Sequence, residues 1–208
     1  MKTRVKFCGC TSVHDVDLAV QCGADAVGFI FADSARRISL QTLAEMAPLL
    51  PRSMTPVGVF VDPTREEVAR ARLIVPQLVV QLSGGENPEL CASIGSSVIK
   101  AIHVGLQTTI EQLEATARSF ARELLMFDTQ AAVAGGSGKT FAWTKVTSLA
   151  RQRPVIISGG LTPDNVAECV RLVRPYGVDV RSGVETDGRK DLQKMRSFAD
   201  CVRHAHET

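Results

Sequence analysis

The sequence has few aromatic residues and no long apolar run. Aromatic residues make up 5% of its 208 residues, with one tryptophan and one tyrosine. A helix needs about 20 consecutive apolar residues to cross a bilayer, and no stretch approaches that length. The first residues, MKTRVKFCG, also lack the apolar core of a signal peptide. We therefore expect a cytoplasmic protein that has no membrane partner.

Neither an excess of charge nor a cysteine framework is present. The chain has 24 basic and 22 acidic residues, which gives a net charge of +2. No basic block occurs, so we expect no nucleic-acid partner. The six cysteines are scattered without a C-x-x-C pair, a distribution typical of reduced thiols in a cytoplasm.

Short apolar strand patterns alternate with helical patterns along the whole chain. The composition, 45% hydrophobic and 22% charged, is that of a globular protein with an ordinary core. Eight such pairs without a linker predict a parallel α/β sheet, and their number favours a single-domain (β/α)8 barrel over residues 1–208. A doubly wound open sheet is the alternative. The predicted strands are 4–8, 25–31, 56–61, 77–82, 98–104, 124–128, 154–158 and 178–180.

Glycine turns follow the last two predicted strands. Gly159 and Gly160 follow strand seven, and Ser182 and Gly183 follow strand eight. Glycine permits positive φ and a close approach of the backbone to a ligand, and a helix N-terminus adds unpaired N–H donors. In (β/α)8 barrels the loops after strands seven and eight usually bind phosphate. The turns therefore predict a phosphate site; simple turns between helix and strand are the alternative.

Three residues that can do acid–base or anion chemistry stand near strand ends, where barrel enzymes carry their catalytic groups. Cys8 ends strand one, Asp128 ends strand six and Arg36 follows strand two. A thiolate can act as a general base, and a desolvated carboxyl group as a general acid. Lys6 is expected to lower the pKa of Cys8, and Arg36 has the planar fork that binds a carboxylate. The set predicts an isomerisation that removes one proton and delivers another.

Longer motifs support this interpretation. They are KFCG at 6–9, GADAVGFIF at 23–31, SARRIS at 34–39, VGVFV at 57–61, VQL at 80–82, DT at 128–129, GGSGKTFAW at 135–143, SGGLTPDNV at 158–166 and DVRSGVE at 179–185. In this order and spacing they resemble the phosphoribosylanthranilate isomerase family. The resemblance implies a (β/α)8 barrel of tryptophan biosynthesis that needs no metal or cofactor. It also implies an Amadori rearrangement of N-(5'-phosphoribosyl)anthranilate to 1-(2-carboxyphenylamino)-1-deoxyribulose 5-phosphate.

The resemblance assigns roles to individual residues. It implies that Asp128 protonates the ring oxygen as the ribose opens, and that Cys8 takes the C2' proton. Arg36 matches the contact to the anthranilate carboxylate. The other residues implied in substrate binding are Gly159, Gly160, Ser182 and Gly183 at the phosphate, with Gly138 and Asp179 as further contacts.

Three positions depart from the family pattern. Ser83 replaces a histidine, Ala142 replaces an aspartate, and Arg181 replaces a small residue. Arg181 is expected either to pair with Asp179 or to reach the phosphate, and Ala142 to remove a helix cap. Two other functions remain open: a related phosphosugar isomerase or epimerase, such as the histidine-pathway isomerase, and a non-catalytic phosphosugar-binding barrel. The functional unit is expected to be a monomer or a homodimer.

Overall fold

The strands close into a parallel barrel in the order of the sequence. The computed structural model describes residues 2–95, 97–130 and 140–205. Each strand pairs with the next, and the last pairs with the first. The barrel prediction is confirmed. The strands are β1 Arg4–Cys8, β2 Ala26–Ile30, β3 Thr55–Phe60, β4 Val79–Leu82, β5 Val98–Val104, β6 Leu124–Thr129, β7 Val155–Ile157 and β8 Gly177–Val180.

Helices occupy the connections between strands. None of those in the described residues has the length and apolarity needed to cross a bilayer. Short 3-10 segments cover Ala47–Leu49, Trp143–Val146 and Ser182–Val184. The α-helices are α1 Val13–Gln21, α2 Leu40–Met46, α3 Arg65–Ile74, α4 Pro88–Ile94, α5 Ile110–Ser119, α6 Thr147–Gln152, α7 Val166–Val173 and α8 Leu192–His204.

Side-chain caps fix where most of these helices begin. Ser12, Ser39 and Asn87 each accept a hydrogen bond from the main-chain N–H three residues further on. Thr64 and Thr109 form complete capping boxes with the residue at the third helical position. Each cap satisfies donors that would otherwise be unpaired at a helix N-terminus. The strands are therefore followed by helices at defined residues, which sets the lengths of the loops at the barrel mouth.

Successive side chains of β1 point alternately outward to the apolar core and inward to the barrel interior. Val5 and Phe7 point outward and belong to the large apolar cluster that packs strands against helices. Lys6 and Cys8 point to the other side, into the barrel. A small apolar cluster fills the lower interior, and it consists of Val57, Ile99, Ala101, Met126 and Ile156. The interior is thus apolar below and polar towards the mouth.

A two-stranded hairpin after β8 lies outside the predicted elements. Its strands are β9 (Glu185–Thr186) and β10 (Arg189–Lys190), which pair antiparallel. Asp187 and Gly188 form the turn with φ of 47° and 71°. An Asp-Gly pair at positive φ is typical of a two-residue hairpin turn, so the signal was present in the sequence. The hairpin stands beside the barrel mouth.

Candidate active site

The thiol of Cys8 and the ammonium of Lys6 are neighbours inside the barrel. Cys8 is 6% exposed. Its Sγ and the Nζ of Lys6 lie 2.8 and 3.0 Å from the point that a Cβ on Gly28 would occupy. Only glycine at this position of β2 leaves room for both groups. The neighbouring strand therefore shapes the space in which the thiol lies.

Lys6 is bound to a carboxylate from the adjacent strand. Its Nζ donates to Oδ1 of Asp179 at 2.7 Å, and Ser158 Oγ donates to Oδ2 at 3.1 Å. All three residues are buried. Burial by itself lowers the pKa of Lys6, but the attraction of the Asp179 carboxylate and the contact with Cys8 outweigh it. The pKa therefore lies above its ordinary value, and the ammonium remains charged.

The pKa of Cys8 is raised. Burial is the largest cause, because it penalises the thiolate. Lys6 acts in the opposite direction, as expected from the sequence, but its effect is smaller than that of burial. The expected lowering by Lys6 is present, but the net shift of the Cys8 pKa is upward. The free protein holds this residue as a thiol beside a permanent positive charge.

Asp128 lies near the end of β6, three strands from Cys8 around the barrel. Burial raises the pKa of its carboxyl group to about 6, and the negative charge of Asp179 adds to the rise. His103, Arg181 and Lys6 oppose the rise. A carboxyl group with this pKa can hold a proton near neutrality and can deliver it, as a general acid must.

Gly159 brings the turn after β7 against Asp128. A Cβ on this glycine would lie 2.5 Å from Asp128 Oδ1 and would also collide with the main-chain nitrogen of Thr129. Its φ of 83° is a second reason why glycine is required. The predicted phosphate turn and the predicted acid are therefore in direct contact.

The side chain of Asn165 stabilises the glycine turn through two hydrogen bonds to the main chain. Its Nδ2 donates to the carbonyl of Gly160, and its Oδ1 accepts from the N–H of Thr162, both at 2.9 Å. Within the described part of the chain, the N–H groups of Gly159 and Gly160 donate no hydrogen bond. Helix α7 begins at Val166, directly after Asn165. Sequence reasoning missed Asn165, although its spacing of three from Thr162 was visible.

The turns after β7 and β8 pack on each other. A Cβ on Gly183 would overlap the carbonyl oxygen of Leu161 and lie 2.9 Å from its carbon. Ser182 opens the short 3-10 segment, and the first N–H groups of a helix have no partner within it. Gly159, Gly160, Ser182 and Gly183 therefore lie together, as expected for an anion site. Gly138, the remaining predicted contact in this region, lies outside the described residues.

Arg36 stands at the rim and is bound to the hairpin. Its Nη2 donates to Oε2 of Glu185 at 2.8 Å and also to the carbonyl oxygen of Gly188. The Arg36 side chain is 21% exposed. Sequence reasoning predicted Arg36 as an anion contact but did not find Glu185 as its partner.

Two of the departures from the family pattern have local consequences. The carbonyl oxygen of Ser83 lies 2.9 Å from Nε2 of His103, and its hydroxyl accepts from Nε2 of Gln81 at 3.1 Å. Arg181 packs its Cγ and Cδ on Gly9, and its guanidinium forms no ion pair with the described residues. Because Lys6 and Ser158 occupy the Asp179 carboxylate, the expected pairing of Arg181 with Asp179 is wrong. At Ala142 the structure shows no side-chain cap, as predicted.

Comparison with known proteins identifies what this arrangement is similar to. A family profile described as N-(5'phosphoribosyl)anthranilate (PRA) isomerase matches residues 5–201. An N-(5'-phosphoribosyl)anthranilate isomerase of Streptococcus mutans is 40% identical, over 97% of this chain and 99% of its own. That of Desulforudis audaxviator is 42% identical, over 98% of this chain and 99% of its own.

Solved structures of isomerases with this activity are also similar to this chain. Phosphoribosyl anthranilate isomerase from Thermotoga maritima superposes with a TM-score of 0.87 at 37% identity, covering 96% of this chain and 98% of its own. A second structure contains the isomerase in complex with reduced 1-(o-carboxyphenylamino)-1-deoxyribulose 5-phosphate. It has a TM-score of 0.84 at 34% identity, with 96% of this chain and 98% of its own covered.

The raised pKa of Asp128 predicts a cost in stability. An unfolded aspartate ionises near pH 4, whereas this folded carboxyl group keeps its proton to about pH 6. The folded state therefore binds more protons between these values, and its free energy of unfolding falls as pH rises through that window. Asp128→Asn removes the charge, so we expect this variant to be more stable than wild type by about 3 kcal/mol at pH 8.

Urea unfolding of both proteins at pH 8 and at pH 4 measures the difference. At pH 4 the two stabilities should approach each other, because both forms of residue 128 are then largely uncharged in the folded state. A variant that is less stable than wild type at pH 8 would show that burial does not destabilise the Asp128 carboxylate. A stability difference between the two proteins that does not change with pH would show the same.

Proposed function

The chain belongs to the N-(5'-phosphoribosyl)anthranilate isomerase family, and we propose that Cys8 and Asp128 carry out the proton transfers of its reaction. The activity is the aldose–ketose isomerisation of N-(5'-phosphoribosyl)anthranilate in tryptophan biosynthesis. One observation supports the two roles above all. A thiol beside a charged ammonium and a carboxyl group with a pKa of about 6 lie on one barrel mouth, next to a glycine turn with free N–H groups.

The glycine turn fixes the sugar relative to the acid. Gly159, Gly160, Ser182 and Gly183 bind the 5'-phosphate through main-chain N–H groups. Gly159 touches Asp128, so the ribose ring lies beside the carboxyl group. Asp128 protonates the ring oxygen while the C1'–O4' bond breaks, and the anthranilate nitrogen supplies the electron pair that forms the C=N bond of the Schiff base.

Cys8 completes the rearrangement. Its thiolate takes the C2' proton, the electrons of that C–H bond form the C1'–C2' double bond, and the Schiff base nitrogen recovers its electron pair. The enolamine then gains a proton at C1' and loses the proton of its 2'-hydroxyl group, and this tautomerisation gives the ketone. Lys6 stays charged beside the thiolate throughout. These steps use no metal and no cofactor.

The pKa shifts of Asp128 and Cys8 determine which protonation states the free protein holds. With the acid near pH 6 and the thiol above its ordinary value, the free protein at neutral pH holds mainly a thiol and a carboxylate. Catalysis uses the form in which the proton has moved to Asp128. Ring opening by the protonated Asp128 makes the Schiff base nitrogen positive, and that charge then favours the Cys8 thiolate over the thiol. The substrate therefore supplies the positive charge that activates the thiol.

We propose a phosphoribosyl small molecule as the ligand, with Arg36 and Asp179 as further contacts. The related structure that holds a reduced 1-deoxyribulose 5-phosphate compound supports this choice. The functional unit is a monomer or a homodimer, since a related dimeric isomerase of Thermotoga maritima has also been obtained as monomers.

Substitution of the two proton carriers tests the proposal. Cys8→Ser lowers kcat at least ~10²-fold, the lower end of the effect of a positioned general base, and Asp128→Asn does likewise. KM changes little in both. The fluorescence-monitored isomerase assay measures these values, and Cys201→Ser, at a partly exposed cysteine on α8, is the matched control. Wild-type kcat in Cys8→Ser would remove Cys8 from the mechanism.

The space beside the thiol gives a second test. Gly28→Ala adds a methyl group where Sγ of Cys8 and Nζ of Lys6 already lie, so it displaces both. We expect a fall in kcat of roughly tenfold or more, because small misplacements of reacting groups are costly. Gly85→Ala is the control, since a Cβ there would meet only Asp62 Oδ1, at 3.8 Å. Equal kcat values in the two folded variants would contradict the proposed geometry.

A further inference from the structure

The hairpin occupies one of the three guanidinium nitrogens of Arg36. Its Nη2 carries both contacts to the hairpin, one to Glu185 and one to the Gly188 carbonyl. A guanidinium has five N–H donors in a rigid plane. Among the described residues, no acceptor faces Nε or Nη1 of Arg36. The side chain therefore keeps the N–H donors of Nε and Nη1 free among the described residues.

Glu185 is itself fixed. Its side chain is 10% exposed, and Oε1 accepts from Nζ of Lys190 at 3.1 Å. The Lys190 side chain is 1% exposed and also donates to the carbonyl of Arg181. Nζ of Lys194 donates to the carbonyl of Glu185 at 2.8 Å. Both the main chain and the carboxylate of Glu185 are thus held by charged donors.

We propose that Glu185 is the positioning residue that orients Arg36 to bind the substrate carboxylate, an inference that rests on the proposed role of Arg36. The N–H groups left on Nε and Nη1 can each donate a charge-assisted hydrogen bond to a carboxylate oxygen. A guanidinium already held by Glu185 and Gly188 loses less freedom when that carboxylate binds. Arg36 and Lys190 together carry one more charge than Glu185 neutralises, so the cluster still attracts an anion.

The test is the affinity for the reduced product analogue, 1-(o-carboxyphenylamino)-1-deoxyribulose 5-phosphate in reduced form. Glu185→Gln keeps the shape of the side chain but removes its charge, so we expect Kd for this compound and KM for substrate to rise roughly tenfold. kcat stays within about threefold, because the proton carriers are untouched. Glu66→Gln, at an exposed ion pair with Arg70 on α3, is the matched control and leaves Kd unchanged.

Two further arms separate positioning from a merely structural role. In an Arg36→Ala background, Glu185→Gln causes no additional loss of affinity, because Glu185 acts through Arg36. The analogue that lacks the ring carboxylate binds to Glu185→Gln as it binds to wild type. Glu185→Asp, which keeps the charge with a shorter reach, gives an intermediate Kd and decides the question if Glu185→Gln does not fold.

The outcomes that overturn the inference are distinct from failure of the proposed function. An unchanged Kd in Glu185→Gln, or an equal loss in the presence and absence of Arg36, overturns the role of Glu185 alone. An unchanged Kd in Arg36→Ala overturns the proposed contact between Arg36 and the carboxylate, and the inference falls with it. Cys8 and Asp128 are not affected by either result.

Discussion

The ion pair between Lys6 and Asp179 is the interaction on which the site depends. It lies inside the barrel, above an apolar cluster, where a buried pair gains little net stability because desolvation offsets the attraction. Its effects are instead chemical. Lys6 places a permanent charge beside Cys8, and Asp179 accepts from Ser158 and raises the pKa of Asp128. One pair thus influences both proton carriers.

Glycines at crowded positions are the second constraint on the site. Gly28 leaves space for the thiol, Gly159 for the acid, and Gly183 for the Leu161 carbonyl of the neighbouring turn. Each of these glycines faces atoms of another strand or loop, so the requirement comes from packing between distant segments as much as from backbone conformation. The phosphate turn, the acid and the base are close together because these contacts allow their strands and loops to approach.

Local patterns predicted the fold and much of the site. The strands and the caps at Ser12 and Thr64 were predictable because alternation and capping depend on neighbouring residues. The contact of Arg36 with Glu185 was not, because it joins loops that follow different strands. The direction of the Cys8 pKa also required the structure, since it depends on whether burial or the charge of Lys6 has the larger effect.

The Lys6–Asp179 pair serves chemistry rather than folding. Lys6→Met alone leaves a buried carboxylate unpaired and should destabilise the protein by about 3–5 kcal/mol. The double variant Lys6→Met/Asp179→Leu removes both charges and should recover near-wild-type stability. The decisive measurement is kcat of that folded double variant. We expect most activity to be lost in this variant, and wild-type kcat would contradict the chemical role of the pair.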